Sequence, residues 1–176
     1  MKKKSRRQIL LSYDKERQRN VLAKPGAHPF VLIIDHLQPG FNVAKIFRSA
    51  EAFGACAVHL VGIGPFDPGP AKGSFRKVPA RFHEDFAACH AALLAAGYTF
   101  FLLDPEGETA LGESGLPQKS AFVLGHEEFG FSFSRAEYPD LKTLVIPQFG
   151  NVQSLNVSIA ASVVMYEYVR QQKSKT

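Results

Sequence analysis

The sequence predicts an α/β domain built on an open parallel sheet, and three observations predict it. Short continuous apolar runs, each bounded by turn residues, recur along the chain and mark strands buried on both faces. Between them lie stretches with apolar residues at helical spacing. The first strand, helix and strand fit within about 30 residues, the length of a βαβ unit. The alternation continues to the end of the 176 residues without an internal repeat. That length makes one domain with room for a substantial core.

Residues 1–20 carry eight Lys/Arg against two Asp/Glu, whereas the remaining 156 carry thirteen against fourteen. The net charge of +5 therefore belongs to the N-terminal arm. A basic arm on a nearly neutral body gains affinity from phosphate contacts without reading base sequence. Charge alone fits a solvated tail equally well, while Ile9, Leu10 and Leu11 suggest an arm that is partly helical and docked. That apolar stretch is too short for a signal peptide before Asp14 and Glu16 intervene. No run reaches the roughly 18–20 apolar residues of a membrane span. The expectation is a soluble cytoplasmic protein with an arm over 1–28, a domain over 29–172 and a short tail over 173–176.

Residues 30–35 (Phe-Val-Leu-Ile-Ile-Asp) read as the first strand. After the turn Gln38-Pro-Gly, residues 42–53 keep helical spacing through Val43, Ile46, Phe47, Ala50 and Phe53. Asn42 is positioned to cap that helix and Gly54 to close it. Residues 57–61 form a second strand, and the Gly/Pro-rich stretch 62–74 is a connection long enough to be either mobile or functional. A helix over 83–96 ends at Gly97. Strands follow over 98–103, 120–125 and 141–146, the last stopped by Pro147. Ser154 or Asn156 can cap the closing helix. Its segment 157–169 is apolar nearly all round. That suits a helix covered by the sheet on one side and by a second subunit on the other, or one deeply buried within a monomer.

Several chemistries are excluded by spacing. Gly62-Ile-Gly begins like a dinucleotide fingerprint, but Asp67 stands where the third glycine belongs, and Lys72-Gly-Ser has the wrong order for a P-loop. No Gly-x-Ser-x-Gly elbow occurs. The six histidines (28, 36, 59, 83, 90 and 126) show no paired metal spacing and read as single residues, and Cys56 and Cys89 as buried free thiols. Polar chemistry remains at three places: Asn42 and Arg48 on the first helix, Glu127 after the fourth strand, and Ser154 and Asn156 after the fifth. The carboxyl ends of parallel strands converge on one crevice. Each residue alone has an ordinary structural explanation; together they mark a site.

These residues fall in three ordered blocks over about residues 30–170. The first runs from Asn42 to Gly54 and carries Asn42-x5-Arg48. The second is 122–132, Phe-Val-Leu-Gly-His-Glu-Glu-Phe-Gly-Phe-Ser. The third is 146–161, Ile-Pro-Gln-Phe-Gly-Asn-Val-Gln-Ser-Leu-Asn-Val-Ser-Ile-Ala-Ala. In this combination the chain resembles the SpoU-type (TrmH-like) RNA ribose 2′-O-methyltransferases of the SPOUT superfamily. It departs from them at Gln148, commonly Met, and at Phe131, often Leu.

The resemblance implies a single-domain α/β fold: an open parallel sheet with helices on both faces and a C-terminal trefoil knot. It also implies a homodimer through the last helix and S-adenosylmethionine held by Leu103, Leu124, Gly125, Ile146, Gln148, Ser154 and Leu155. The implied reaction is methylation of a ribose 2′-hydroxyl in tRNA or rRNA. The sulfonium already makes the methyl electrophilic, so the implied reaction needs no metal, and no membrane is involved. The resemblance gives Arg48 the proton-accepting role, assisted by an RNA phosphate. Because a guanidinium is a poor base, Arg48 would at least bind phosphate and stabilise the developing alkoxide, whether or not it takes the proton. Asn42 would orient Arg48, Glu127 and Asn156 would hold the ribose or the arginine, and Ser154 would assist at the cofactor. RNA contacts would come from Arg48, Lys72, Arg76 and Lys77, with the arm. A non-catalytic RNA-binding protein of the same fold is the alternative; an α/β enzyme acting on a small nucleotide lacks the phosphate-binding glycines.

Overall fold

Seven strands form a single parallel sheet: β1 (His28–Asp35), β2 (Ala55–Val61), β3 (Ala80–His83), β4 (Thr99–Leu103), β5 (Thr109–Ala110), β6 (Ser120–Leu124) and β7 (Lys142–Val145). In this computed structural model, which describes residues 5–174, they lie in the order β3-β2-β1-β6-β4-β7-β5. The helices are α1 (Arg6–Asn20), α2 (Phe41–Ala52), α3 (Phe86–Ala95) and α4 (Val157–Lys173). Central strands buried on both faces have no need of alternation, which is why residues 30–35 are all buried.

One face packs against α2 and α4 through Phe30, Ile34, Ile46, Phe47, Val164 and Met165. The other packs against α3 through Ile33, Val61, Phe86 and Leu93. Ser49 and Ser162 meet at 2.8 Å where α2 and α4 cross. Gly54 closes α2 in the left-handed region at φ 67°, where a side chain would be strained.

The arm is more ordered than its charge requires. A Ser5–Gln8 capping box starts α1. Tyr13 is buried with its ring 5.2 Å from Phe66 and 5.7 Å from Phe75. Asn20, also buried, donates to the carbonyls of Phe75 and Val78 and accepts from Ala80 N at 2.9 Å. The same contacts pack the connection expected over 62–74 to be mobile or functional: residues 62–76 hold two 3-10 turns and bury Phe66, Ala71, Ser74 and Phe75 against α1 and α2.

Three further expectations are corrected. The predicted helix over 83–96 begins at Phe86, where Asp85 accepts from Ala88 N at 2.8 Å. His83 instead ends an edge strand that the sequence did not announce, because Ala-Arg-Phe-His carries charge on an edge that needs no apolar run. The two-residue β5 is too short for any periodicity. Asn42 does not cap α2: the N-cap is Gly40, and Asn42 lies inside the first turn with its side chain turned away to other partners. Among the described residues no helix is long and apolar enough to cross a membrane.

Candidate active site

The three adjacent strands β6, β4 and β7 end side by side, and the residues just beyond them line a cleft of about 300 Å3. Leu103 and Asp104 come from the end of β4, Leu124 to Glu127 from β6, Ile146 and Gln148 from β7, and Ser154 and Leu155 from the approach to α4. All seven residues expected around a cofactor are in that lining. The position follows from parallel topology, because each strand delivers its C-terminal loop to the same end of the sheet.

The loop after β6 is shaped by its own backbone. His126 N donates to Gly130 O at 2.7 Å and Gly130 N returns the bond at 3.0 Å, closing a short bridged loop. His126 Nδ1 accepts from Glu128 N at 3.0 Å, which leaves the ring proton on Nε2. Gly125 has no room for a side chain: an added Cβ would sit 2.7 Å from Gly130 O. The loop is tied to the sheet by Asp35, fully buried at the end of β1, which accepts from Ser132 N at 2.6 Å and Ser132 Oγ at 2.8 Å. Sequence reasoning gave Asp35 no role, although an acidic residue ending a buried strand was the available signal.

Three of the five candidate catalytic residues converge. Asn42 Nδ2 donates to Glu127 Oε1 at 2.6 Å, and Asn156 Nδ2 donates to Asn42 Oδ1 at 3.3 Å. Asn156 Oδ1 accepts from Ser158 N at 3.0 Å and Ser158 Oγ at 2.6 Å, so one side chain both caps α4 and joins the chain of amides. Glu127 lines the cleft, which places this polar chain at its rim.

Arg48 is exposed and has no hydrogen bond or ion pair among the described residues. Asn42 therefore does not orient it here. Six residues along an α-helix carry a side chain about 240° around the axis and about 9 Å along it. Glu127 and Asn156 likewise engage Asn42 rather than Arg48. Ser154 lines the cleft and is exposed.

The other expected RNA contacts lie elsewhere, on the 3-10 turns. Lys77 pairs with Glu51 at 2.9 Å and Arg76 lies 3.9 Å from Glu16, while Lys72 is exposed in the left-handed region at φ 51°. The reading of all six histidines as single residues fails for His59 and His83, whose rings stack 5.1 Å apart, with Cys89 beside them. They belong to adjacent strands and α3, so their spacing in sequence carried no signal.

Residues 29–166 match the profile of the SpoU rRNA Methylase family. The chain belongs to that family. Among its relatives is the 23S rRNA (guanosine-2′-O-)-methyltransferase RlmB of Xylella fastidiosa strain 9a5c, 33% identical over 151 residues, or 83% of this chain and 60% of the relative. The first curated relatives are all longer, and the chain spans about three fifths of their length. Among solved structures, a protein studied for the 2-OH methylation of C/U34 on tRNA is 28% identical, with a TM-score of 0.72 over 85% of this chain and 99% of that one. AviRb of Streptomyces viridochromogenes, in complex with AdoMet, is 26% identical, with a TM-score of 0.71 over 89% of this chain and 64% of AviRb. The family match extends over the sheet, the cleft and α4 as far as residue 166.

Proposed function

We propose that this SpoU-family chain transfers a methyl group from S-adenosylmethionine to a ribose 2′-hydroxyl of structured RNA, tRNA or rRNA. The observation that carries the reading is that Glu127 belongs at once to the cleft lining and to the Asn42–Glu127–Asn156 chain. A pocket for a small molecule and a set of directed polar groups therefore share one rim. The residues fit the cofactor by an independent criterion. Gln148 Oε1 is buried in the cleft without a hydrogen-bond partner among the described residues. Leaving such an acceptor unpaired costs about 1–3 kcal/mol, which a donor on the bound ligand would recover. Leu103, Leu124, Gly125, Ile146, Gln148, Ser154 and Leu155 would hold it.

S-adenosylmethionine, when bound, supplies a methyl group already activated by a sulfonium. The chain's own task is to place the acceptor hydroxyl in line and to remove its proton. Glu127, which accepts from Asn42, would also accept a hydrogen bond from ribose. Arg48, uncommitted and exposed, would bind an RNA phosphate and stabilise the alkoxide as it develops. A guanidinium with a pKa above about 12 is a poor base, so phosphate binding is the first role assigned to it. Lys72, Arg76, Lys77 and the basic face of α1 would extend the RNA surface, consistent with a cytoplasmic enzyme.

The same reading makes the protein a homodimer through α4. Its support is that Ile159 and Tyr166 are 52% and 60% exposed on a helix whose opposite face is buried. It also makes the C-terminal part a trefoil knot, a reading supported by β7 lying between β4 and β5.

The test is methyl transfer from labelled S-adenosylmethionine to hypomodified total RNA, digested to nucleosides, with Arg48→Ala as control. Label on a ribose 2′-oxygen, absent in the variant, is the expected result. Label on a base would overturn the reaction. Cofactor binding with no transfer to any RNA would favour the non-catalytic alternative.

A further inference from the structure

We infer that His59, His83 and Cys89 form a binding site for a divalent transition-metal ion, zinc foremost, which ties the edge strand β3 to β2 and α3. None of the three lines the cleft, so the inference stands apart from methyl transfer.

The fold builds the site from three elements. In the parallel register Val61 is opposite His83 and His59 opposite Arg81, so the two imidazoles stand two positions apart on one face of neighbouring strands. Cys89, in the first turns of α3, reaches the same point from above the sheet. His59 Nδ1 and His83 Nε2 are 2.9 Å apart, and Cys89 Sγ is 3.7 Å from His59 Nδ1. The three donor atoms all lie within 4.8 Å of one another. Tetrahedral zinc, with Zn–N of about 2.0–2.1 Å and Zn–S of about 2.3 Å, spaces its ligands by roughly 3.3–3.6 Å. The Cys89 Sγ–His59 Nδ1 distance of 3.7 Å is about 0.1 Å beyond that range, and the Cys89–His83 pair, within 4.8 Å, closes to it as the His83 ring turns. The nitrogens need to part by a few tenths of an ångström, which His83, half-buried on an edge strand, accommodates by turning its ring.

The donor chemistry agrees with the geometry. Two imidazoles and a thiolate suit zinc and its neighbours and reject magnesium and calcium. At 2.9 Å one facing ring nitrogen donates to the other, so the two imidazoles hold a single proton between them, and burial lowers both rings from the ordinary imidazole value. Burial pushes the Cys89 thiol up to about 12, so without metal the sulfur carries its proton. Binding exchanges the S–H bond for a sulfur–metal bond and releases that proton. The proton shared between the rings shifts to an outward-facing nitrogen. The surrounding charges are Asp35 toward Cys89, Asp85 toward His83 and Arg81 toward His59; two carboxylates against one guanidinium favour a cation. With three protein ligands the fourth position falls to water on the half-exposed His83 side.

The test is titration of the full-length chain, stripped with chelator and kept reduced by a phosphine, with cobalt(II). A near-ultraviolet thiolate-to-cobalt charge-transfer band saturating at one ion per chain, and bleached by zinc, is expected. Zinc should also raise the melting temperature. Cys89→Ser should abolish the band, Cys56→Ser should keep it, and His83→Gln, which removes a ligand, should weaken binding by more than the roughly tenfold that loss of an outer-shell partner costs. Absence of the band in folded wild type under excess cobalt overturns the inference, as does a band that survives in Cys89→Ser.

Discussion

Asn156 performs two tasks that one substitution can separate. Its side-chain oxygen caps α4 by accepting from Ser158 N at 3.0 Å, while its amide nitrogen donates to Asn42 Oδ1 at 3.3 Å. Asn156→Ala removes both, and a lost cap costs about 1 kcal/mol. For a chain of this length that lowers the melting temperature by about 2–4 °C. Asn156→Asp keeps the acceptor, and its charge at a helix N-terminus contributes about 0.3–1 kcal/mol in compensation. The Asp variant should therefore melt within a degree or two of wild type. Its effect on the polar chain is the opposite. Asn42 would face one carboxylate at Glu127 and another at position 156, with a single amide nitrogen to offer. Either its oxygen confronts the new carboxylate, or the amide turns and Glu127 loses its 2.6 Å donor. Turnover at saturating S-adenosylmethionine and RNA should fall by at least about tenfold, some 1.4 kcal/mol in the barrier. The pair of assays is thermal denaturation and label transfer to RNA. An Asp variant with wild-type turnover would refute the role of the amide chain; one as unstable as Asn156→Ala would refute the cap.

Asp35→Ala removes the acceptor that ties Ser132, and with it the loop bearing Glu127, to the sheet; it should cost about 1–3 kcal/mol and weaken cofactor binding in calorimetry. Wild-type melting and affinity together would show the tie to be incidental. Tyr168 is buried, donates to Gln118 O at 2.6 Å, and has its phenol pushed up to about 12 by burial. Because the folded pKa is raised, this residue's contribution is complete below pH 10 and is lost as pH rises through 12. The stability advantage of wild type over Tyr168→Phe should therefore be flat to pH 10 and shrink above it, by denaturant titration at each pH; a constant difference would contradict the burial argument. Tyr166→Glu places a charge on the exposed face of α4 and should sediment as a monomer at concentrations where wild type is dimeric. A wild-type monomer under those conditions would dispose of the proposed homodimer.

The central strands were legible in sequence because burial on both faces writes itself as an unbroken apolar run, as in residues 30–35. The helix ends at Gly54 and Asn156 were legible from capping chemistry. β3 was not, since an edge strand pairing with a single neighbour tolerates Arg81 and His83. The capping role expected of Asn42 was misplaced for a related reason: Asn is a plausible cap wherever it precedes an apolar pattern, and only the position of Glu127, 85 residues away, turns its side chain elsewhere. The lining of the cleft was legible through the resemblance of three blocks, whereas its physical closeness to Asn42 depends on strand order. Asp35 and the His59–His83–Cys89 cluster were invisible because their partners are assembled by register, which the linear spacing of residues does not encode.

The strand order also dictates a timetable. β6 must enter between β1 and β4, and β7 between β4 and β5, so each earlier strand waits beside an unfilled gap. A nascent chain emerging only to residue 141 has β4 with one flank unpaired and the two-residue β5 with no neighbour at all. Open strand edges recruit other chains, and pairings across long sequence separations form slowly. Until residues 142–173 leave the ribosome, the cleft lacks its β7 wall and α2 lacks α4. Stop codons or slow decoding within residues 142–173 should therefore yield insoluble protein, where slow decoding before residue 28 would not.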